Sequence, residues 1–109
     1  MIEPMTAPED RVTAVHLDEV VPTGIAPGIT RLALPGDAVA ARGFDFAPGT
    51  QWPEVDEHPA DELVYVADGE LLDNGRRYPA GSFLHYWPGS RHRPGTETGA
   101  RILVFTARG

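Results

Sequence analysis

Several residue types are missing or scarce in this chain, and each absence excludes a kind of chemistry. Cysteine is absent, which removes disulfides, thiolate metal ligands and a thiol nucleophile. Lysine is absent too, so Schiff-base catalysis and a phosphate-loop lysine are excluded. Serine occurs only as Ser82 and Ser90. The chemistry that remains is that of His, Asp, Glu and Tyr side chains.

Long apolar runs are also missing. The sequence has no run of about 18 apolar residues that could span a membrane, and residues 1–11 lack the apolar segment of a secretory signal. We therefore expect a cytoplasmic protein with no membrane partner. A net charge of −7 argues against nucleic-acid binding, because the phosphate backbone would be repelled.

The charge is distributed unevenly along the chain. Residues 1–75 hold 15 acidic residues and 3 arginines, whereas residues 76–109 hold 1 acidic residue and 6 arginines. We expect strands from the two halves to pair and neutralise one another. The alternative is a face that binds anions.

The spacing of chain breakers predicts an all-β fold with little or no helix. The 11 prolines and 12 glycines are spread through the whole chain and leave no room for a long helix. The runs between them are short and rich in Val, Ile, Leu, Phe and Tyr, as is typical of strands. The Asn74-Gly75 pair predicts a tight hairpin. Many short strands in a chain of this length indicate a sandwich, barrel or jelly roll.

The predicted boundaries follow from these runs. Residues 1–10 are expected to form a loose arm or an added edge strand, and residues 11–109 a single domain with one core. The predicted strands cover residues 11–17, 29–34, 38–46, 62–68, 70–73, 82–87 and 101–107.

A run of acidic residues and a histidine raises the question of a metal site. Glu54, Asp56 and His58 recur at every second position, and Glu62 follows four residues later. On an extended strand such residues share one face. His92 lies 30 residues beyond Glu62, which leaves room for a hairpin and a return strand. This arrangement predicts a metal site inside a small barrel, the alternative being an acidic loop that contains a histidine.

The two segments resemble the paired motifs of the cupins. In that family a Gly, His-x-His, a Glu and a Gly are followed, after a spacer, by Gly and Pro-x-Gly-x-x-His. Here the segments read PGTQWPEVDEHPADELVYVADG (48–69) and YPAGSFLHYWPGSRH (78–92). The second half is most similar to the cupin domain of ChrR-type anti-sigma factors and their stand-alone relatives. The resemblance implies a double-stranded β-helix, a jelly-roll barrel that commonly forms homodimers.

The resemblance implies that His58, Glu62 and His92 are metal ligands, and it places Asp56 where the family has its first histidine. With Asp56 bound, two histidines and two carboxylates favour Mn or Fe, and Zn is the third option. Without it, the other three residues form a two-His, one-carboxylate triad suited to non-haem iron. A metal-free site with acid–base groups is a further alternative. Glu54 replaces a ligand if the strand is shifted in register.

Glu62, His85 and Tyr65 are the candidate catalytic residues. His85 shares one face of its strand with Trp87, and this face is expected either to line the barrel mouth, with His85 in a substrate wall or as a proton shuttle, or to lie on an outer sheet. Trp52 and Tyr65 are weaker candidates for an aromatic pocket wall.

Two classes of function fit these residues. The first is a metal-dependent enzyme acting on a small organic molecule. The resemblance implies dioxygenase-like chemistry on a β-diketone or enol, and enolate-type isomerase or lyase chemistry suits the same ligands. The second is a sensing or ligand-binding cupin, with or without metal, that acts through a partner protein, as the likeness to ChrR implies.

Overall fold

The fold is nearly all β, as predicted. The protein was analysed as a computed structural model, which describes residues 11–108. Within this range the only helical element is a 3₁₀ turn, Leu17–Glu19, and no helix is long and apolar enough to cross a membrane. The strands are β1 (Thr23–Ala26), β2 (Ile29–Ala33), β3 (Val39–Phe46), β4 (Asp56–Glu57), β5 (Glu62–Asp73), β6 (Arg76–Pro79), β7 (Phe83–Tyr86), β8 (Arg91–His92) and β9 (Ala100–Ala107).

All strand pairs are antiparallel. The main sheet runs β1-β2-β3-β9-β5-β6, and β7 pairs with the first part of β5. Strands β4 and β8 form a separate two-stranded sheet. Strand β5 is shared by several partners, because it pairs with β9 and β7 near its start and with β6 near its end.

Two predicted strands, 62–68 and 70–73, are one continuous strand in the structure. The register of β5 against β9 shifts between Val66 and Asp68, which marks a β-bulge. Gly69 follows with a φ of 72°, and a Cβ there would lie 2.0 Å from the carbonyl oxygen of Gly99. The glycine therefore permits a bend within the strand and does not end it.

The predicted hairpin is confirmed. Asp73 pairs with Arg76 across Asn74 and Gly75, whose φ angles of 49° and 76° are those of a tight turn with left-handed backbone.

The beginning of the chain differs from the prediction. Residues 11–17 do not form a strand, and His16 Nδ1 instead accepts a hydrogen bond from the backbone NH of Asp18 at the start of the 3₁₀ turn. Strand β1, which was not predicted, is largely exposed and lacks the apolar alternation that marks a strand in sequence. The predicted arm, residues 1–10, lies outside the described residues, and the division into arm and domain stays a prediction.

Alternate residues of β3, β5 and β9 form the core. Val64 and Val66 are 2% and 0% exposed, and they pair in register with Val104 and Ile102. Ile102 in turn pairs with Phe44. Burial of a side chain of this size contributes about 1.5–3 kcal/mol. The same inward face carries polar side chains at its ends, and the candidate site lies there.

Ion pairs join the acidic half of the chain to the arginine-rich half. Arg101 donates to Asp45 over 2.7 Å and to Asp18 over 3.3 Å, and Arg77 donates to Glu70 over 2.8 Å. The hydrogen bond to Asp45 raises the pKa of Arg101, and those to Glu70 and Glu97 raise the pKa of Arg77. The predicted neutralisation between the two halves is confirmed for these pairs.

Candidate metal centre

The two-stranded sheet brings three candidate ligands together. Asp56 on β4 pairs in register with His92 on β8. His58 continues this pairing, since its backbone NH donates to Ser90 over 2.9 Å and its carbonyl accepts from Gly89 over 2.7 Å. Ligand atoms of Asp56, His58 and His92 lie within 4.8 Å of one another, so this group could hold a metal ion.

The two imidazoles face each other through the same ring nitrogen. Nε2 of His58 and Nε2 of His92 are 2.5 Å apart, and both rings are buried. Each ring has a carboxylate beside its other nitrogen: Glu62 Oε2 is 3.2 Å from Nδ1 of His58, and Asp73 Oδ2 is 3.0 Å from Nδ1 of His92. A carboxylate at Nδ1 is the usual partner of a histidine that binds metal through Nε2.

The carboxylates beside the two rings favour one tautomer. We assign the proton to Nδ1 in both rings, because Asp73 Oδ2 accepts a hydrogen bond at Nδ1 of His92 and the Glu62 carboxylate lies 3.2 Å from Nδ1 of His58. Each Nε2 then carries a lone pair directed at the other. An unprotonated Nε2 is the nitrogen through which an imidazole binds a metal ion, so the residues fit a metal bound between Asp56, His58 and His92.

Asp56 offers the third potential ligand atom. Its Oδ2 lies 3.9 Å from Nε2 of His58, and its side chain is 48% exposed. The aspartate that stands in place of the family's first histidine therefore lies close enough to His58 and His92 to share an ion with them. Two imidazoles and one carboxylate form a ligand set that suits divalent first-row metals.

Glu62, the fourth predicted ligand, lies beside this group, and its role as a ligand stays a prediction. Its carboxylate contacts the Nδ1 side of His58 and lies 3.7 Å from Nη2 of Arg42, outside the group of three ligand atoms. It therefore orients His58 in this structure. Burial raises the pKa of Glu62, while the neighbouring His58 and Arg42 oppose that rise.

Sequence reasoning did not find the buried pair behind His92. Tyr86 donates to Asp73 Oδ2 over 2.5 Å, and the Tyr86 ring stacks on His92 with centroids 4.2 Å apart. Burial, reinforced by the hydrogen bond to Asp73, raises the pKa of Tyr86, so the phenol stays protonated and donates. Among the described residues, Oδ1 of Asp73 has no hydrogen-bond partner. The available signal was a charged residue alternating with apolar Leu71 on the same strand.

A cavity of about 150 Å³ adjoins these groups. Its walls are largely apolar, and Trp52 packs edge-on against Phe44 with centroids 5.3 Å apart. Trp52 thus lies in the pocket wall that the sequence proposed for it. The polar end of the cavity is formed by Arg42, Asp56, Glu62 and His92, and the remaining wall by Phe44, Phe46, Trp52, Val64, Leu71, Tyr86, Pro94, Ile102 and Val104.

The other candidate residues lie away from the cavity. His85 is on the outer face of β7, where it contacts Asp61 Oδ1 over 2.6 Å and the ring of Trp87, which is 70% exposed. The expectation that this face lines the barrel mouth is therefore wrong, and the outer-sheet alternative describes it. Tyr65 is also on the outside, 37% exposed, and Glu54 is exposed and outside the ligand group.

An antiparallel β fold with histidines and carboxylates converging beside an interior cavity defines the cupin class. The chain belongs to the family described as the ChrR cupin-like domain, whose sequence pattern matches residues 10–109. The resemblance read from the two motifs is thereby confirmed. No curated protein matches the chain.

Solved structures support the same fold. A chain of the complex of Rhodobacter sphaeroides SigE with the anti-sigma factor ChrR is 26% identical, with a TM-score of 0.75 over 84% of this chain and 51% of that chain. The polyketide cyclase RemF from Streptomyces resistomycificus is 20% identical, with a TM-score of 0.78 over 88% and 79% of the two chains. A candidate acetylacetone dioxygenase from Methylibium petroleiphilum is 14% identical, with a TM-score of 0.78 over 94% and 81%. At these identities the last two establish the fold alone.

Proposed function

We propose that this protein is a metal-dependent cupin enzyme acting on a small, largely apolar organic molecule. The observation that carries the proposal is the convergence of ligand atoms of Asp56, His58 and His92, within 4.8 Å of one another, beside an interior cavity. His58, His92 and Asp56 would hold the ion, with Fe, Mn or Zn as the candidates. The carboxylates behind the two rings fix the ligand nitrogens in place.

A divalent metal here would supply Lewis-acid polarisation of a bound oxygen and, as Fe(II), access to O₂ chemistry. The chain itself supplies a candidate proton carrier, since the Glu62 carboxyl lines the cavity and burial raises its pKa. The apolar walls exclude water around the substrate. We assign the acid–base role to Glu62, because His85 and Tyr65 lie outside the cavity.

The structural neighbours support a substrate with closely spaced oxygens. One is named for the cyclisation of a polyketide and another for acetylacetone, which is a β-diketone. Both a dioxygenase-like reaction and an isomerase or lyase reaction are consistent with such a substrate. The ligand set favours a chelating diketone or enol in either case.

Metal analysis tests the first part of the proposal. Protein loaded with Fe(II), Mn(II) or Zn(II) and then desalted should retain a stoichiometric ion, and His58→Ala and His92→Ala should lose it. The matched control is His85→Ala, which removes an exposed histidine and should keep the metal. A parent protein that retains no ion under these conditions contradicts the hypothesis of a metal-dependent enzyme.

Turnover assays test the reaction class. Oxygen consumption by the iron form, measured over a panel of β-diketones and catechols, should reveal a dioxygenase-like activity. Anaerobic conversion followed by NMR should reveal an isomerase or lyase. Neither activity across both panels, with metal bound, would favour the second candidate below.

The second candidate is a sensing cupin that acts through a partner protein. It is favoured by membership of the ChrR cupin-like family and by the match to a chain of the SigE–ChrR complex. A sensor should bind metal or ligand without turnover and bind its protein partner tightly. We further propose a homodimer, because Leu63, Tyr65, Phe83 and Trp87 leave exposed apolar surface on β5 and β7 and at the end of β7.

A further inference from the structure

Arg42 is the only arginine among the described residues that line the cavity. It lies on β3, and its side chain is 22% exposed. Nη1 donates to Thr106 Oγ1 over 3.1 Å. The carboxylate of Glu62 is 3.7 Å from Nη2, which is an ion-pair distance but too long for a hydrogen bond.

The donors of this guanidinium are mostly unused. A guanidinium carries five N–H donors, and within the described part of the chain Arg42 makes one hydrogen bond. Arg101, by contrast, makes two hydrogen bonds to Asp45 and one to Asp18. The side chain of Arg42 is partly exposed and lines the cavity, so its remaining donors can bind an acceptor that enters there.

The cavity limits the size of the molecule that enters it. A volume of about 150 Å³ equals that of an engineered apolar protein cavity known to take up benzene. Flat aromatic side chains, Phe44 and Trp52, form part of the wall. The space therefore fits one ring, or an open-chain molecule of similar size, with its polar end directed at Arg42.

We propose that the cavity binds a single-ring-sized organic anion, with its carboxylate or enolate oxygen bound by Arg42 and its apolar body packed against Phe44 and Trp52. The inference rests on the proposed function and names its substrate class. A planar guanidinium with free donors binds such oxygens through charge-assisted hydrogen bonds, which are about twice as strong as neutral ones.

The chain offers a selective optical probe for the test. Its only two tryptophans are Trp52, in the cavity wall, and Trp87, which is 70% exposed. A Trp87→Phe background leaves Trp52 as the single reporter of cavity binding. Titration with benzoate and with benzamide, which have the same shape but differ in charge, should show a preference for benzoate of about ten-fold or more. The titrations are run on metal-free and Zn(II)-loaded protein.

Substitutions then test whether Arg42 causes the preference for benzoate over benzamide. Arg42→Gln should abolish the preference for benzoate and leave benzamide binding unchanged. Arg42→Lys keeps the positive charge but loses the planar arrangement of donors that binds two oxygens at once, so it should retain part of the preference. Thr106→Val removes the hydroxyl that holds Nη1 and should reduce the preference even if Arg42→Gln fails to fold. Arg31→Gln, which removes an exposed arginine from the neighbouring strand, is the matched control and should change nothing.

Several outcomes would overturn the inference. They are equal binding of benzoate and benzamide, a benzoate preference that survives Arg42→Gln, and no binding of either ring probe or of the smaller pair pivalate and pivalamide. A preference seen only with zinc and unchanged by Arg42→Gln would place the anion on the metal. Metal content of the samples after zinc loading tests the proposed function separately, since a parent protein that retains no zinc yet prefers benzoate through Arg42 contradicts the metalloenzyme and upholds the anion site.

Discussion

At the scale of single residues, the two candidate ligand histidines each have a carboxylate from a different part of β5 beside Nδ1. Glu62, at the start of the strand, contacts Nδ1 of His58, and Asp73, at its end, contacts Nδ1 of His92. The strand therefore orients both rings although it supplies none of the three ligand atoms. The contacts with the two histidines account for a buried acidic residue at each end of β5.

Asp73→Asn tests this role at His92. An amide at this position binds Nδ1–H more weakly and no longer makes the imidazole a stronger base, so the affinity for Zn(II) should fall by about 10–100-fold. Competition with a chromophoric chelator measures it. Asp61→Asn, which alters the carboxylate beside the exposed His85, is the control and should leave the affinity unchanged. Equal affinities for parent and Asp73→Asn would show that Asp73 does not support the ligand.

Tyr86→Phe tests the hydrogen bond behind the site. Removing the hydroxyl leaves the buried Asp73 with one partner fewer, which should lower the free energy of unfolding by about 1–3 kcal/mol. Urea unfolding of the metal-free protein measures the change. The control is Tyr65→Phe, because Tyr65 lies on the outer face and is 37% exposed, so its loss should be within about 0.5 kcal/mol of the parent. Similar values for the two variants would contradict a supporting role for Tyr86.

The candidate site residues that could be predicted from the sequence are those whose spacing matches a known motif. His58 and His92 could be predicted as neighbours because they repeat a known pattern at known intervals, and Asp56, which departs from that pattern, lies beside them. Asp73 and Arg42 could not, since each sits in a strand whose inward face depends on partners that are distant in sequence. For Tyr86 both faces of its strand are apolar, so nothing local identifies the inward one.

At the scale of elements, the bulge in β5 decides which residues face the cavity. Without the register shift between Val66 and Asp68, the face that carries Glu62 would not bring Leu71 and Asp73 inward. The sequence shows a glycine at this place but does not distinguish a bulge from a break. The hairpin at Asn74 was predictable because its turn is local.

Gly69→Ala tests the bulge. The substitution places a Cβ at left-handed φ and within 2.0 Å of the Gly99 carbonyl oxygen, so the backbone must move. We expect a loss of at least about 2 kcal/mol in the free energy of unfolding, with weakened zinc binding because Asp73 shifts. Gly24→Ala is the control, since a Cβ there meets nothing within 4 Å. Unchanged stability and metal affinity in Gly69→Ala would show that the bulge does not position the site.

At the scale of the whole molecule, the fold was more predictable than the chemistry. Breaker spacing and strand-length apolar runs determine an all-β chain, and the two motifs define the cupin arrangement. The strand predicted at residues 11–17 was wrong: the structure assigns no strand to these residues, and a 3₁₀ turn begins at Leu17. Which face of a strand lies on the outer surface also depends on residues that are distant in sequence. The face of β7 that carries Phe83 and His85, for example, is exposed.

The exposed aromatic side chains of β7 and its end bear on assembly. Phe83 and Trp87 are 62% and 70% exposed, and leaving such surface in water is unfavourable. If two copies pair through this face, the double change Phe83→Ser and Trp87→Ser should convert a dimer to a monomer. Light scattering coupled to size exclusion measures the mass. Val21→Ser, at a residue that is 86% exposed outside the strands, should leave the dimer intact. A parent protein that is monomeric at high concentration would rule out the homodimer, and a dimer that survives the double change would place its interface on another face.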